Sequence, residues 1–133
     1  MKTRRFALPA LVLAMFSASA WADCSVPSTQ SEMTQCAGQA YSAADKKLNL
    51  AYNEYRTRLS AEQKKKLTQA QLAWVKFRDL SCAFESSGAE GGSAYPMVRS
   101  GCLAAKTEGR LKEILALQDC QEGDMSCPVL KHR

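Results

Sequence analysis

In the stretch AWVKFRDLSC, Trp74, Arg78 and Cys82 recur every four residues and so stack along one face of a helix. An indole, a permanent cation and a sulfur in line suit one of two tasks. Arg78 and Trp74 can hold an anionic ligand, or the stripe can lock a small fold together. The second reading is favoured, because a guanidinium on an inward face needs partners for its planar donors. Asp45, Glu90 and the backbone of the following loop are the candidate partners. Trp74 is expected to fill the space between the first two helices, and Cys82 to join a bridged end.

Catalytic chemistry finds little support. The single histidine, His132, is the penultimate residue, so no Ser/His or Cys/His nucleophile pair can be assembled in the folded part. The carboxylates sit in no motif that would raise a pKa for acid–base work. All six cysteines (Cys24, Cys36, Cys82, Cys102, Cys120, Cys127) have a disulfide role available, which leaves no reactive thiol. Zinc is disfavoured by the absence of any C-x-x-C pair. The chain reads as a binding protein, not an enzyme, with no metal and no cofactor.

The first 22 residues explain the compartment. MKTRRFALPALVLAMFSASAWA has a basic start, an apolar run from Phe6 to Phe16 and small residues ending in Ala20-Trp21-Ala22. That is the layout of a secretory signal peptide, too short to span a bilayer. Cleavage is expected after Ala22. Asp23 ahead of Cys24 argues against lipid attachment, so the product should be soluble, periplasmic or secreted, with no membrane insertion. The full chain has 18 basic and 13 acidic residues; the leader takes three basic ones, leaving 15 against 13 and a charge of +2. This is no nucleic-acid footprint, and Lys64-Lys65-Lys66 reads as a solvated helix face. An even cysteine count in an exported chain indicates a disulfide framework.

The elements that position these residues are helical. Thr29-Gln30-Ser31-Glu32 and Ser60-Ala61-Glu62-Gln63 are capping boxes, each opening a helix. The first helix runs to about Leu59, with Ala37, Ala40/Tyr41, Ala44, Leu48, Ala51/Tyr52, Tyr55 and Leu59 facing inward. The second ends near Glu85, and its apolar positions are Leu67, Ala70, Trp74, Phe77, Ser81 and Phe84, widened by Leu72 and Val75. Ser86 to Ser93 is a loop by composition. Pro96 suits the first turn of a third helix reaching about Gln118, whose inner face reads Met97, Gly101, Ala104/Ala105, Glu108, Leu111 and Leu115. The expected organisation is a leader (1–22), a helical domain (23–118) and a polar tail (119–133) holding a cysteine pair. The fold class is all-α: an antiparallel three-helix bundle, a long helical hairpin plus a third helix, stapled by disulfides.

Cys36 lies 24 residues before Ser60 and Cys82 lies 22 after it. At a rise of ~1.5 Å per residue they sit about 36 and 33 Å from the corner, level with each other. Cys24 and Cys102 belong at the same end. Pairing Cys24 with Cys36 and Cys82 with Cys102 fits, and so does pairing Cys36 with Cys82 and Cys24 with Cys102. Short local loops favour the sequential set, with Cys120 joined to Cys127.

Cys24, TQSEMTQCA (29–37), AD (44–45), LN (48–49), Tyr52 and AQLAWVKFRDLSC (70–82) form one ordered set. GGS (91–93), Cys102, Thr107, Arg110 and CQEGDMSCP (120–128) continue it. The set resembles the exported domain family described as lysozyme inhibitor LprI-like, N-terminal domain, over nearly all of the chain after the leader. The resemblance implies a small helical, disulfide-linked domain outside the cytoplasm. Its implied activity is inhibition of a lysozyme or related peptidoglycan hydrolase, immunity-type protection included. The contact surface expected for that role is the loop with the start of the third helix: Glu90, Gly91, Gly92, Ser93, Tyr95 and Arg99. Its glycines permit close backbone approach, and a lysozyme cleft offers two carboxylates to meet. The competing reading is a plain connector, and the rival function is a non-catalytic envelope adaptor that packs its aromatic helix face on another protein. The oligomeric state is left open.

Overall fold

The computed structural model describes residues 23–121 and 123–129, so the leader lies outside the described residues, as does His132. Three helices follow one another: α1 (Gln30–Arg56), α2 (Ala61–Glu85) and α3 (Tyr95–Gln118), with a short 3-10 turn at Ser87–Ala89. No strand occurs among the described residues.

Both capping boxes form. The Thr29 side chain accepts from the Glu32 amide while Glu32 reaches back to the Thr29 amide, and Ser60 and Gln63 do the same for α2. Each box satisfies amides that the first helical turn cannot pair internally. The Glu32 carboxyl is held below its usual 4.5, first by the Ser28 amide, then by the Ser28 hydroxyl and the Thr29 amide. α1 stops at Arg56, one turn short of Leu59, and the corner closes through amide bonds from Thr57, Arg58 and Leu59 to Glu54, Tyr55 and Arg56 carbonyls.

The corner sends α2 back antiparallel to α1: Tyr52 reaches Thr68, and Asp45 reaches Arg78. α3 then runs parallel to α1 and takes the place closest to it. Gln30 meets Met97, and Gln118 donates to the Ala51 carbonyl at 2.9 Å, the same 67-residue offset at both ends. α2 stands off from α1, bridged by long side chains. Leu48, Ala51, Tyr55 and Leu59 of the α1 segment and Ile114 of α3 make the core, with Leu67, Trp74, Leu111, Leu117 and Val129 packed around it.

The disulfides are sequential: Cys24–Cys36, Cys82–Cys102 and Cys120–Cys127. The α1–α3 register sets Cys36 beside Leu103, so the first two bridges share the end remote from the corner. The third ties the tail into a small loop that returns to the corner, where Gln63 donates to the Pro128 carbonyl at 2.8 Å and Val129 meets the core.

Two helix faces differ from the sequence reading. In α2, Leu72, Phe77 and Phe84 are 62–80% exposed and Ala70 is also exposed, while the helix buries Arg78 and Cys82. In α3 the buried residues are Leu103, Ala104, Thr107 and Ile114, whereas Gly101, Ala105, Glu108 and Leu115 face water. Polar residues cause both rotations. Arg78 and Thr107 are buried because they bond each other across the helices, so the inward stripe is not the most apolar one. Trp74 is half-buried and reaches the core shared by α1 and α3, and so does more than fill a gap between α1 and α2.

Truncation distinguishes the two faces of α3. Ile114→Ala, at a fully buried site, should cost about 2–5 kcal/mol in chemical denaturation. Leu115→Ala, next in sequence and 46% exposed, should cost well under about 1 kcal/mol. Equal losses would contradict the packing.

Candidate functional site

Arg78 is 6% exposed, and its surroundings account for every side of the guanidinium. Nε donates to Asp79 Oδ1 at 2.9 Å, and Nη2 pairs with the same oxygen at 2.9 Å. Nη1 donates to the Thr107 hydroxyl at 3.4 Å and stands 3.6 Å from Asp45 Oδ1. Asn49 steadies Asp45 by donating to its other oxygen at 3.0 Å. The rings of Tyr41 and Trp74 lie 5.3 and 5.2 Å from the guanidinium carbon. One side chain thus contacts all three helices. Asp45 is among the partners expected from sequence; Glu90 and the loop backbone are not in contact with Arg78. The partners not expected from sequence are Asp79, the next residue on its own helix, and Tyr41 and Thr107 on other helices.

A second cation also meets Trp74. Arg110 lies 5.9 Å from the ring, donates from Nε to Gln71 at 3.0 Å and pairs with Glu113 at 2.7 Å. Sequence gave no local signal for this pair, since Gln71 and Arg110 are 39 residues apart.

The loop begins one turn beyond Arg78. Ser86 is 1% exposed and closes α2: its hydroxyl donates to the Cys82 carbonyl at 2.6 Å and its amide to the same oxygen at 3.1 Å. Amides of Ala89, Glu90, Gly92 and Tyr95 then donate to carbonyls of Ser86, Ser87, Ala89 and Gly92, so each turn starts on the one before. Gly91 has φ +79°, where a side chain would be strained, and a Cβ on Gly92 would meet the Ala89 carbonyl at 3.2 Å. Two braces close the base. The Cys82–Cys102 bridge joins α2 to α3, and Glu85 pairs with Lys106 at 2.9 Å while accepting from Ser81 at 2.9 Å. The Lys106 hydrogen bond, then that of Ser81, holds the Glu85 carboxyl below its usual 4.5.

Glu90, Gly91, Gly92 and Ser93 are exposed together at the crest. Tyr95 and Arg99 sit lower, half-buried in the first turns of α3. Among the described residues, the amides of Gly91 and Ser93 and the Ser93 hydroxyl make no bond within the chain. The crest is therefore an exposed run of hydrogen-bonded turns that leaves these donors without a partner in the chain. No group of histidine, cysteine or acidic side chains among the described residues could hold a metal ion. An apolar hollow of about 290 Å³ lies at the far end instead, against Tyr55, Leu59, Leu67, Leu117 and Pro128, and away from Trp74 and Arg78. Burial there raises the Tyr55 phenol above its usual 10.0.

A family model described as Lysozyme inhibitor LprI matches residues 22–114, from ahead of α1 into α3, with the loop inside the match. An uncharacterized protein of Rhizobium meliloti (strain 1021) is 35% identical over 113 residues, 75% of this chain and 81% of its own. A crystal structure of a DUF1311 family protein from Pseudomonas putida KT2440 superposes with a TM-score of 0.61 at 24% identity. It covers 68% of this chain and 93% of that one, and so shares the fold.

Two outcomes follow from this geometry. Arg78→Lys keeps the charge but loses the planar fork, and should lower stability by about 1–3 kcal/mol. Amide exchange should then quicken in α1 and α3, leaving the loop protected, because Arg78 does not touch the loop. The Glu85 carboxyl is depressed on folding, so its contribution is present above the unfolded value of 4.5 and is lost as pH falls through the folded one. Melting temperature followed downward through pH 4.5 should fall less steeply in Glu85→Gln than in the parent.

Proposed function

The chain belongs to the lysozyme inhibitor LprI family, and from that premise we propose that it is an exported protein that blocks the cleft of a lysozyme-type or related peptidoglycan hydrolase. The observation that carries this reading is the ledge at Glu90–Ser93. It is exposed, built from consecutive turns and braced at its base by a disulfide and an ion pair. A stiff ledge loses little conformational entropy on docking, so its contacts go into affinity.

The chemistry is complementary. Gly91 and Ser93 offer amide donors, and Ser93 adds a hydroxyl. A wall hydrolase of the lysozyme type presents two carboxylates in a cleft, which accept such bonds. Arg99, at the foot of the ledge, adds a cation on the same side of the sequence, while Glu90 can meet a basic group on the cleft rim. The formal +2 left after loss of residues 1–22 gives no long-range attraction to a basic enzyme, so recognition rests on contact and not on steering.

The setting agrees with this role. Three disulfides suit an oxidising compartment, and no helix among the described residues is long and apolar enough to cross a membrane. Residues 1–22 act in this reading as a signal peptide cleaved after Ala22, with release into the periplasm or beyond. Residues 23–118 form the inhibitory domain, and the Cys120–Cys127 tail covers the corner.

Purified protein in molar excess over a panel of lysozymes and wall hydrolases should slow the lysis of cell walls by at least one of them. Substituting Ser93→Ala with Glu90→Ala, or Gly92→Val, should weaken inhibition at least about tenfold without changing the melting profile of the helices. Full activity of every hydrolase in the panel, or inhibition indifferent to the ledge, would sink the proposal; an adaptor would tolerate these changes.

A further inference from the structure

α2 carries two faces of different kinds. Leu67, Gln71, Trp74, Arg78 and Cys82 look inward. On the other side, Ala70, Ala73, Phe77, Leu80 and Phe84 alternate at steps of three and four, and all five are exposed. Phe77 is 62% exposed, Leu80 61% and Phe84 80%. Steps of three and four sustained along one stripe are the spacing of a coiled-coil seam, whose partner is another helix. Among the described residues no helix covers the stripe. Lys106 only lays its ammonium 5.7 Å from the Phe77 ring at one edge.

We infer that this stripe is a dimer seam, on which the α2 of a second copy packs antiparallel. Three observations favour a second copy. The seam is self-complementary: with Phe77 of one copy beside Leu80 of the other, the Ala73 of one faces the Phe84 of its partner, small against large at both ends. Charge selects the direction. Lys64, Lys65 and Lys66, with Glu62 paired to Lys66, leave a net positive charge near the start of α2, whereas Glu85 and Glu90 lie at or just past its end. Antiparallel packing sets opposite charges near each other, and parallel packing would set like against like. Area is sufficient for a reversible pair. Phe77, Leu80 and Phe84 with the two exposed alanines offer roughly 450 Å² per copy, so a pair buries about 900 Å², the size of a weak, transient association. This inference does not depend on which hydrolase is bound.

Sedimentation velocity of the purified, oxidised protein tests it, run from low to high micromolar concentration. A reversible monomer–dimer equilibrium is expected. The double variant Phe77→Ser/Phe84→Ser should dissociate at least about tenfold more readily, with helical circular dichroism unchanged because both rings are already in water. If that variant loses helix, Leu80→Gln decides by the same measurement. Lys66→Glu should weaken the dimer about two- to fivefold, and Glu90→Lys added to it should restore the loss. A monomer at every concentration would overturn the inference. So would a dimer indifferent to Phe77, Leu80 and Phe84, or a seam that binds a different envelope protein while the chain stays monomeric.

Discussion

A guanidinium buried to 6% exposure must have every donor direction answered, and that requirement organises this bundle. Arg78 is answered from three helices at once: Tyr41 and Asp45 from α1, Trp74 and Asp79 from its own helix, and Thr107 from α3. The carboxylates flanking it are only partly exposed, so the cation is compensated without a fully dry ion pair. α2 has few apolar residues inward, and its docking depends on this polar centre together with the Cys82–Cys102 bridge one turn away. In a core this thin, a bridge of that kind contributes about 2–4 kcal/mol, comparable with any single buried side chain.

The same requirement explains which parts of the fold were legible in the sequence. Helix starts were, because capping boxes are local: Thr29 with Glu32 and Ser60 with Gln63 are three residues apart. The antiparallel return of α2 followed from the short corner, and the sequential disulfides closed the shorter loops among the pairings weighed. The inner face of α1 was also legible, since it is apolar and uninterrupted from Ala44 to Leu59. The inner faces of α2 and α3 were not. Their inward positions include Gln71, Arg78, Thr107 and Arg110, which are satisfied by bonds to one another over separations of 29 and 39 residues. The four-residue spacing of Trp74, Arg78 and Cys82 marks that stripe as inward, but hydrophobic counting places Gln71, Thr107 and Arg110 in water. For α2 it then selects Phe77 and Phe84, which are apolar for another reason.

Of the loop, sequence supplied the residues but not the form. Glycines and serines between two helices describe a flexible connector as well as a stiff ledge. The difference lies in a relay of backbone bonds, begun by Ser86 as it caps α2 and passed through the 3-10 turn to Gly92 and Tyr95. Ser86 and Cys82 are both buried against the end of the bundle, so the relay starts from fixed ground. Tyr95 and Arg99 belong to the foot of the ledge because α3 begins at Tyr95.

One helix therefore serves both as anchor and as display. Its inward stripe is fastened by Arg78 and Cys82, its C-terminal end launches the ledge, and its outward stripe holds Phe77, Leu80 and Phe84 in water. An antiparallel pair joined along that outward stripe would set the two Glu90 ledges at opposite ends. Glu85 of one copy then lies level with Leu72 of the other, so the two helix ends stand about 20 Å apart at a rise of ~1.5 Å per residue, with the ledges beyond them. Neither ledge obstructs the other at that distance. A dimer could engage two hydrolase molecules, or two sites on a wall-bound array of them, and gain from the second contact without any change in the first. Covering the aromatic stripe and exposing two ledges are, in this arrangement, consequences of the same packing.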